Sequence, residues 1–195
     1  MLIWKWIKGS VFFALAALLA WAIAVYNQEL FFLINGLSQQ VPRPWQPVMA
    51  QGLHLLTSLG DGVFVVLIVT LFVTRPGRYL PADSVFFVLG LVSYLVSGAV
   101  VQGIKRLADL PRPLAELGFD QVYHVGEILR SHSFPSGHAA AAMALAGVLF
   151  LAARSKGAKV AVLMAGMVVA LSRVAVGVHW PIDVFVGGVL GYSIS

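Results

Sequence analysis

Long apolar stretches confine this chain to a membrane more firmly than any other feature of its sequence. Crossing a hydrocarbon core of about 30 Å takes about 20 residues of helix, or fewer where neighbouring helices shelter the ends. Of the 195 residues, 59% are hydrophobic and 11% are charged, whereas about a quarter of a soluble domain is charged. We therefore expect an all-α, polytopic membrane protein with one membrane-embedded domain, residues 1–195, and six transmembrane helices. The predicted spans are 10–27, 58–74, 83–108, 136–153, 158–175 and 181–195.

The segment between the first two spans, residues 27–58, is amphipathic and contains Pro42, Pro44 and Pro47. This pattern predicts a short interfacial helical segment, with Trp45 at the level of the lipid headgroups. An extension of the second span by part of this segment is the alternative.

The positive charges predict the orientation of the spans. With the N-terminus inside, the inner loops contain seven cations and one acid, Asp83, while the outer side contains seven acids. We therefore expect a multi-pass protein of a bacterial inner (cytoplasmic) membrane, with the starts of the fourth and sixth helices facing the periplasm or exterior. The cations predicted to be cytosolic are Lys5, Lys8, Arg75, Arg78, Arg154, Lys156 and Lys159.

Small residues in two of the spans indicate how the helices pack. Glycines and serines in the third and sixth spans, among them Gly98, Gly187 and Gly191, predict close packing of helices.

The first span is expected to be a retained anchor, because its apolar run continues past a possible signal-peptidase site. The last span is about 22 Å long, so we expect either that the protein continues beyond Ser195 or that this helix ends among its neighbours.

Three polar patches lie at predicted outer ends of these helices. "KRLADLPRP" ends the third helix, "HSFPSGH" opens the fourth, and "SRVAVGVHWPID" joins the fifth and sixth. Ionisable groups at membrane depth are costly, so they point to a functional site. Lys105 and Arg112 are seven residues apart, a spacing that would place both on one helical face.

The cations of these patches predict a site for phosphate. Lys105, Arg112 and Arg173 have no matching cluster of acids, and guanidinium groups match phosphate oxygens in bidentate fashion. Ser136 as N-cap and Gly137 in the first turn would present free backbone N–H groups at the positive end of a helix dipole. Scattered in short loops, the basic residues do not indicate a nucleic-acid partner.

Two histidines and an aspartate add groups that anion binding alone does not require. His179 and Asp183 are four residues apart, which we expect to lie in the first turn of a helix, so the carboxylate can hold one ring nitrogen and free the other. His138 would protonate a leaving oxygen from another helix. A non-catalytic anion-binding membrane protein or transporter is the alternative from another class. A metal site of His124, His132 and His138 is a third reading, disfavoured because clustered acids are missing.

Together the patches resemble the three-part signature of the type 2 phosphatidic acid phosphatase superfamily. They read K-x6-RP, PSGH at 135–138, and SR-x5-H-x3-D, and the resemblance extends from about residue 83 to the end. It implies that His179 is the nucleophile that becomes phosphohistidine, that Asp183 orients it and that His138 is the general acid. The phosphate-binding residues that it implies are Lys105, Arg112, Ser136, Gly137 and Arg173. Six apolar spans argue against the soluble branches of the superfamily.

The resemblance also implies a lipid phosphate as substrate and a reaction that needs no metal and no cofactor. Residues 114–131 form a loop of eighteen residues, too short for a lid domain around a large sugar headgroup. We therefore expect a compact headgroup on a long apolar tail: undecaprenyl diphosphate first, then phosphatidylglycerophosphate or phosphatidate, and lipid A last. A lipid phosphotransferase, which would use the same residues, is an open alternative.

Overall fold

A computed structural model describes residues 2–73 and 81–195, and in these ranges the ordered secondary structure is helical, with no strand. The all-α expectation is confirmed. A short 3₁₀ turn at Arg43–Trp45 separates the second and third α-helices. The α-helices of the described residues are α1 (Leu2–Val25), α2 (Asn27–Gln39), α3 (Gln46–Ser58), α4 (Gly62–Val73), α5 (Pro81–Ala108), α6 (Pro113–Leu117), α7 (Gly137–Ala152), α8 (Lys156–Ala175) and α9 (Pro181–Ile194).

Capping residues and prolines determine where these helices begin and end. The side chain of Ser136 caps α7 by accepting a hydrogen bond from the Ala139 N–H at 3.4 Å, and Ser155 caps α8 in the same way. Pro181 is the first residue of α9, a position where its missing N–H costs nothing. Because these signals are local, the predicted bounds of the last four spans lie within two residues of α5, α7, α8 and α9.

The first predicted span and the segment after it form two helices separated by a sharp bend. α1 and α2 meet at Tyr26, where their axes differ by 74°. The prolines interrupt the helix between α2 and α3, as the sequence predicts. The position of this segment relative to the bilayer stays a prediction.

The apolar helices agree with a membrane protein but do not establish six spans. Within the described ranges, two helical stretches are long and apolar enough to cross a membrane, Val88–Leu117 and Lys156–Ala175, and the bent pair α1–α2 gives a third. α7 and α9 are apolar but shorter. Arg75 and Arg78, predicted to lie in a cytosolic turn, fall outside the described residues.

α7 is the central helix and packs against α5, α8 and α9. Seven of its sixteen residues are alanine, and nine of its residues are buried. A Cβ added at Gly187 would collide with the Ser136 backbone, and one added at Gly191 with the Ala140 backbone. The close packing predicted for this glycine pair is confirmed. Gly98 differs from this prediction, because an added Cβ would meet nothing within 4 Å; it borders a cavity between α4, α5 and α7.

A buried amide fastens α2 to one end of this bundle. Asn35 is fully buried, and its Nδ2 donates to the carbonyl oxygens of Tyr123 at 2.8 Å, Ala175 at 3.0 Å and Val174 at 3.3 Å. Its Oδ1 accepts from the Tyr123 N–H at 2.9 Å. The side chain therefore satisfies backbone groups where α8 ends and where the loop after α6 passes.

Replacing Gly191 by alanine should destabilise the α7–α9 contact, whereas replacing Gly103 should not. The methyl group at 191 would meet the backbone of Ala140, which cannot move without shifting α7, and such overpacking costs about 1–3 kcal/mol. Gly103 is the matched control, because it is exposed on α5 and an added Cβ there meets nothing within 4 Å.

Thermal unfolding in detergent micelles is the measurement for both variants. We expect a lower Tm for Gly191→Ala and an unchanged or higher Tm for Gly103→Ala, since alanine favours helix over glycine. Equal Tm values for Gly191→Ala and the parent protein would contradict the close approach of α9 to α7.

Candidate active site

His179 lies just before α9, and the start of that helix holds its imidazole. Nδ1 is 3.4 Å from Oδ2 of Asp183, and this oxygen also accepts hydrogen bonds from the Trp180 N–H at 2.9 Å and from the Ser133 hydroxyl. Both members of the His–Asp pair are almost completely buried. The prediction that both lie in the first turn of a helix is wrong for His179, because Pro181 begins α9 and Trp180 is its N-cap.

The surroundings of His179 favour its neutral form. Burial lowers the pKa of this imidazole well below its usual range, and the nearby cations, Arg112 foremost, lower the pKa further. Nη1 of Arg112 is 3.5 Å from Nε2 of His179. A guanidinium only donates, so this contact places the ring proton on Nδ1, towards Asp183. Nε2 then presents a lone pair, as a nucleophile must.

Lys105 and Arg112 meet through the loop before α7 and not along one helix. α5 ends at Ala108, Asp109 has φ +36°, and Arg112 is the extended residue that precedes α6. The prediction that both cations share one helical face is therefore wrong, because the chain turns between them. Instead, Nζ of Lys105 and Nη2 of Arg112 both donate to the carbonyl oxygen of His132.

Further backbone carbonyls fix the plane of the Arg112 guanidinium. Nε donates to the Ser131 oxygen at 3.0 Å, and Nη1 donates to the Val178 oxygen at 3.0 Å. The side chain thus joins the loop before α7 to the loop before α9. These acceptors are neutral, so they orient the cation without cancelling its charge.

Arg173, in the last turn of α8, contributes a cation with an unused donor. Its Nη1 donates to the Thr57 hydroxyl at 2.6 Å, whereas its buried Nε has no hydrogen-bond partner among the described residues. A buried donor without an acceptor is costly. The ion pairs found in the described part of the chain are three His–Asp pairs, so Lys105, Arg112 and Arg173 lack a carboxylate partner there.

The start of α7 lies beside the His–Asp pair. The backbone N–H of Ser136 donates to the carbonyl oxygen of Asp183 at 2.9 Å, which fixes the two helix starts relative to each other. The first turn of a helix leaves backbone N–H groups outside the helical ladder. Gly137 begins this turn, and a Cβ at that position would meet only Val101, at 3.8 Å. The turn presents N–H donors and a positive dipole end to an anion.

His138 follows in the same turn and pairs with an acid from the corner between α3 and α4. Its Nε2 is 2.6 Å from Oδ1 of Asp61, which immediately precedes α4. A cavity of about 250 Å³ adjoins this pair and is lined by residues of α4, α5 and α7, including Tyr94 and Val101.

The three histidines of the alternative metal site, His124, His132 and His138, each contact a different partner. Nε2 of His124 contacts the Glu127 carbonyl oxygen at 3.2 Å, and Nδ1 of His132 is 3.3 Å from Asp109. Within residues 2–73 and 81–195, no group of three or more His, Asp or Glu side chains is placed to hold a metal ion. The geometry therefore gives this reading no support.

Three residues of the site were not predicted: Thr57, Asp61 and Ser133. Thr57 and Asp61 flank the corner between α3 and α4, and no sequence motif links that corner to α7 or α8. Ser133 lies three residues before Ser136. A hydroxyl so close to the PSGH motif was the available signal.

Comparison with known proteins identifies a family and two similar structures. Residues 86–195 match the PAP2 superfamily. The crystal structure of Aquifex aeolicus LpxE is 25% identical in sequence, with a TM-score of 0.69 over 86% of this chain and 91% of that chain. No curated protein sequence matches the chain significantly.

A second crystal structure, of the first transmembrane PAP2 type phosphatidylglycerolphosphate phosphatase from Bacillus subtilis, has the same fold. It is 22% identical, with a TM-score of 0.68 over 93% of this chain and 89% of that chain. The family match spans more than half of the chain and contains all eight predicted site residues. The chain therefore belongs to the PAP2 superfamily, as a phosphatase of the membrane type.

Proposed function

We propose that this protein removes phosphate from a lipid headgroup, a phosphomonoester or a diphosphate, through a phosphohistidine intermediate on His179. One observation carries the proposal: Arg112 lies 3.5 Å from Nε2 of His179, Lys105 and Arg173 are close enough to act on the same imidazole, and none of the three cations has a carboxylate partner among the described residues. A phosphate group would supply the missing negative charge. It would also accept a hydrogen bond from the buried Nε of Arg173, which has no partner among the described residues.

In the first step, the lone pair on Nε2 of His179 attacks phosphorus. Asp183 holds Nδ1 and stabilises the ring as it becomes positive, while the Ser133 hydroxyl and the Trp180 N–H hold the carboxylate. The cations and the N–H groups at the start of α7 would stabilise the charge that develops on the phosphoryl oxygens. His138 gives a proton to the leaving oxygen as its bond to phosphorus breaks.

In the second step, water hydrolyses the phosphohistidine. His138, now neutral, takes a proton from the attacking water, phosphorus is released from Nε2 of His179, and inorganic phosphate leaves. The same donors stabilise both transition states, so the protein's own cations and helix N-terminus offset the phosphate charge and we propose no metal and no cofactor.

Two features support a compact headgroup on a long apolar tail. The loop from 114 to 131 is tied to the bundle, through the Val125 N–H to the Val176 oxygen at 3.1 Å and the Arg112 N–H to the Arg130 oxygen at 3.0 Å. It therefore offers no separate domain for gripping a large headgroup. An apolar cavity of about 460 Å³ runs from Pro181 along α9, between α1, α2, α7 and α8, and would suit an acyl or prenyl chain.

Among lipids of this description, undecaprenyl diphosphate is our first candidate. Phosphatidylglycerophosphate, named in the description of the Bacillus subtilis neighbour, and phosphatidate follow, with lipid A last. The test is kcat/KM for these four lipids in mixed micelles. We expect a clear preference for one of the compact headgroups. A preference for lipid A, or equal rates on water-soluble phosphate esters, would contradict the proposal.

The two histidines should respond differently to substitution. His179→Ala removes the nucleophile and should abolish turnover of every substrate. His138→Ala removes the general acid, a loss of about 10²–10⁴-fold with a poor leaving group, and a good leaving group such as p-nitrophenolate should restore much of the rate. Phosphate release is the measurement. Asp183→Asn should stay folded and lose much of the rate.

Near-normal turnover by His179→Ala would contradict the covalent mechanism. His54→Ala is the matched control, because this histidine lies on α3 and its side chain is exposed. It should behave like the parent protein with both classes of leaving group.

We also propose that the site faces the outside of the inner membrane. The site residues lie where α5 and α8 end and where α7 and α9 begin, while Arg154, Lys156 and Lys159 lie at the opposite end of α7 and α8. Cations concentrate in cytosolic loops, so the second end would be cytosolic. A phosphate at headgroup level of the outer leaflet could then reach the site.

Single cysteines test this orientation directly, because the chain contains no cysteine of its own. Cysteine at exposed Asp120 should react with a membrane-impermeant maleimide added to intact cells, and cysteine at exposed Lys156 should react only after permeabilisation. The reverse pattern would overturn the orientation and the outer-leaflet substrate with it.

A further inference from the structure

The corner between α3 and α4 lies outside every motif of the sequence but contacts two site residues. The Thr57 hydroxyl accepts a hydrogen bond from Arg173 at 2.6 Å, and the Asp61 carboxylate is 2.6 Å from Nε2 of His138. A Cβ added at Gly60 would lie 3.1 Å from the His138 carbonyl oxygen. The backbone of this corner therefore packs directly against the start of α7.

We propose that Asp61 is a positioning residue for His138: it orients the imidazole ring and stabilises the protonated form that acts as the general acid. This inference rests on the proposed function, in which His138 protonates the leaving group. An ionised carboxylate only accepts hydrogen bonds, so the 2.6 Å contact places a proton on Nε2. Nδ1, the other ring nitrogen, is then the one that gives a proton to the leaving oxygen.

The charges around His138 explain why such an acid is needed. Burial disfavours a positive imidazole ring at this position, and Arg173, from the end of α8, and Arg112, from the segment after α5, both repel it. Asp61 attracts it and is the carboxylate that pairs with it in the described part of the chain. Without Asp61, burial and the two cations would act unopposed, and the protonated ring that a poor leaving group requires would be rarer.

Asp61 acts through His138 and exchanges no proton with the substrate. As the bond from Nε2 of His179 to phosphorus forms, the bond from phosphorus to the leaving oxygen breaks, and the proton on Nδ1 of His138 passes to that oxygen. His138 becomes neutral and keeps its Nε2 proton towards Asp61. The proton lost is replaced from the water that attacks the phosphohistidine, so Asp61 remains a carboxylate throughout.

The dependence on leaving group tests this role. For Asp61→Asn we would measure kcat/KM on p-nitrophenyl phosphate, whose leaving group needs no proton, and on phosphatidate or phosphatidylglycerophosphate, whichever is hydrolysed faster. The ratio of lipid rate to nitrophenyl rate should fall about tenfold or more, within the ~10²–10⁴-fold that a general acid contributes. Both rates come from one preparation, so partial unfolding would leave the ratio unchanged.

Asp109→Asn is the matched control, because Asp109 also pairs with a histidine, His132 at 3.3 Å, but both side chains are more than half exposed. Its ratio should equal that of the parent protein. In the lipid pH profile, the basic limb of Asp61→Asn should move to lower pH. In a His138→Ala background, Asp61→Asn should have no further effect, because the group through which it acts is gone.

An Asp61→Asn ratio equal to that of Asp109→Asn, or an undiminished effect of Asp61→Asn in the His138→Ala background, would overturn the positioning role. Neither result would affect the proposed function, since the parent protein would still hydrolyse the lipid. A parent protein that hydrolyses neither the lipids nor the nitrophenyl ester would instead contradict the proposed function, and this inference with it.

Discussion

The site depends on holding three positive charges close together, in a largely buried place, without carboxylates to neutralise them. Lys105 and Arg112 are buried, Arg173 is partly so, and none of them pairs with an acid among the described residues. Their repulsion is costly at low dielectric. We propose that a bound phosphate, an anion with several oxygens, offsets this cost.

Neutral backbone groups make this arrangement possible. Carbonyl oxygens of His132, Ser133 and Val178 accept hydrogen bonds from Lys105 and Arg112, which orient the cations and leave their charge for the substrate. These carbonyl groups belong to the loops before α7 and α9. A hydrogen bond from the Ser136 N–H to the Asp183 carbonyl oxygen holds the two loops next to each other. Gly187 and Gly191 permit that approach, since larger residues would separate α9 from α7.

Local signals in the sequence predicted much of this structure. Proline, serine caps and apolar length gave the bounds of α5, α7, α8 and α9, because each signal acts within one turn of the chain. The three motifs predicted residues that the fold brings together. The predictions that Arg112 continues a helix and that His179 lies in the first turn of one were wrong. The backbone turns at Asp109, three residues before Arg112, and α9 begins only at Pro181, two residues after His179. Thr57, Asp61 and Asn35 depend on tertiary contacts between elements distant in sequence, for which a single chain carries no local pattern.

The proposed mechanism requires phosphorus to become bonded to Nε2 of His179 during turnover. The most direct test is to mix the protein with substrate labelled in the scissile phosphate, quench in alkali within the turnover time, and locate the label by mass spectrometry of peptides. We expect a labelled peptide that contains His179 and that disappears on further incubation as inorganic phosphate is released. Continued phosphate release with no label on His179 would contradict it.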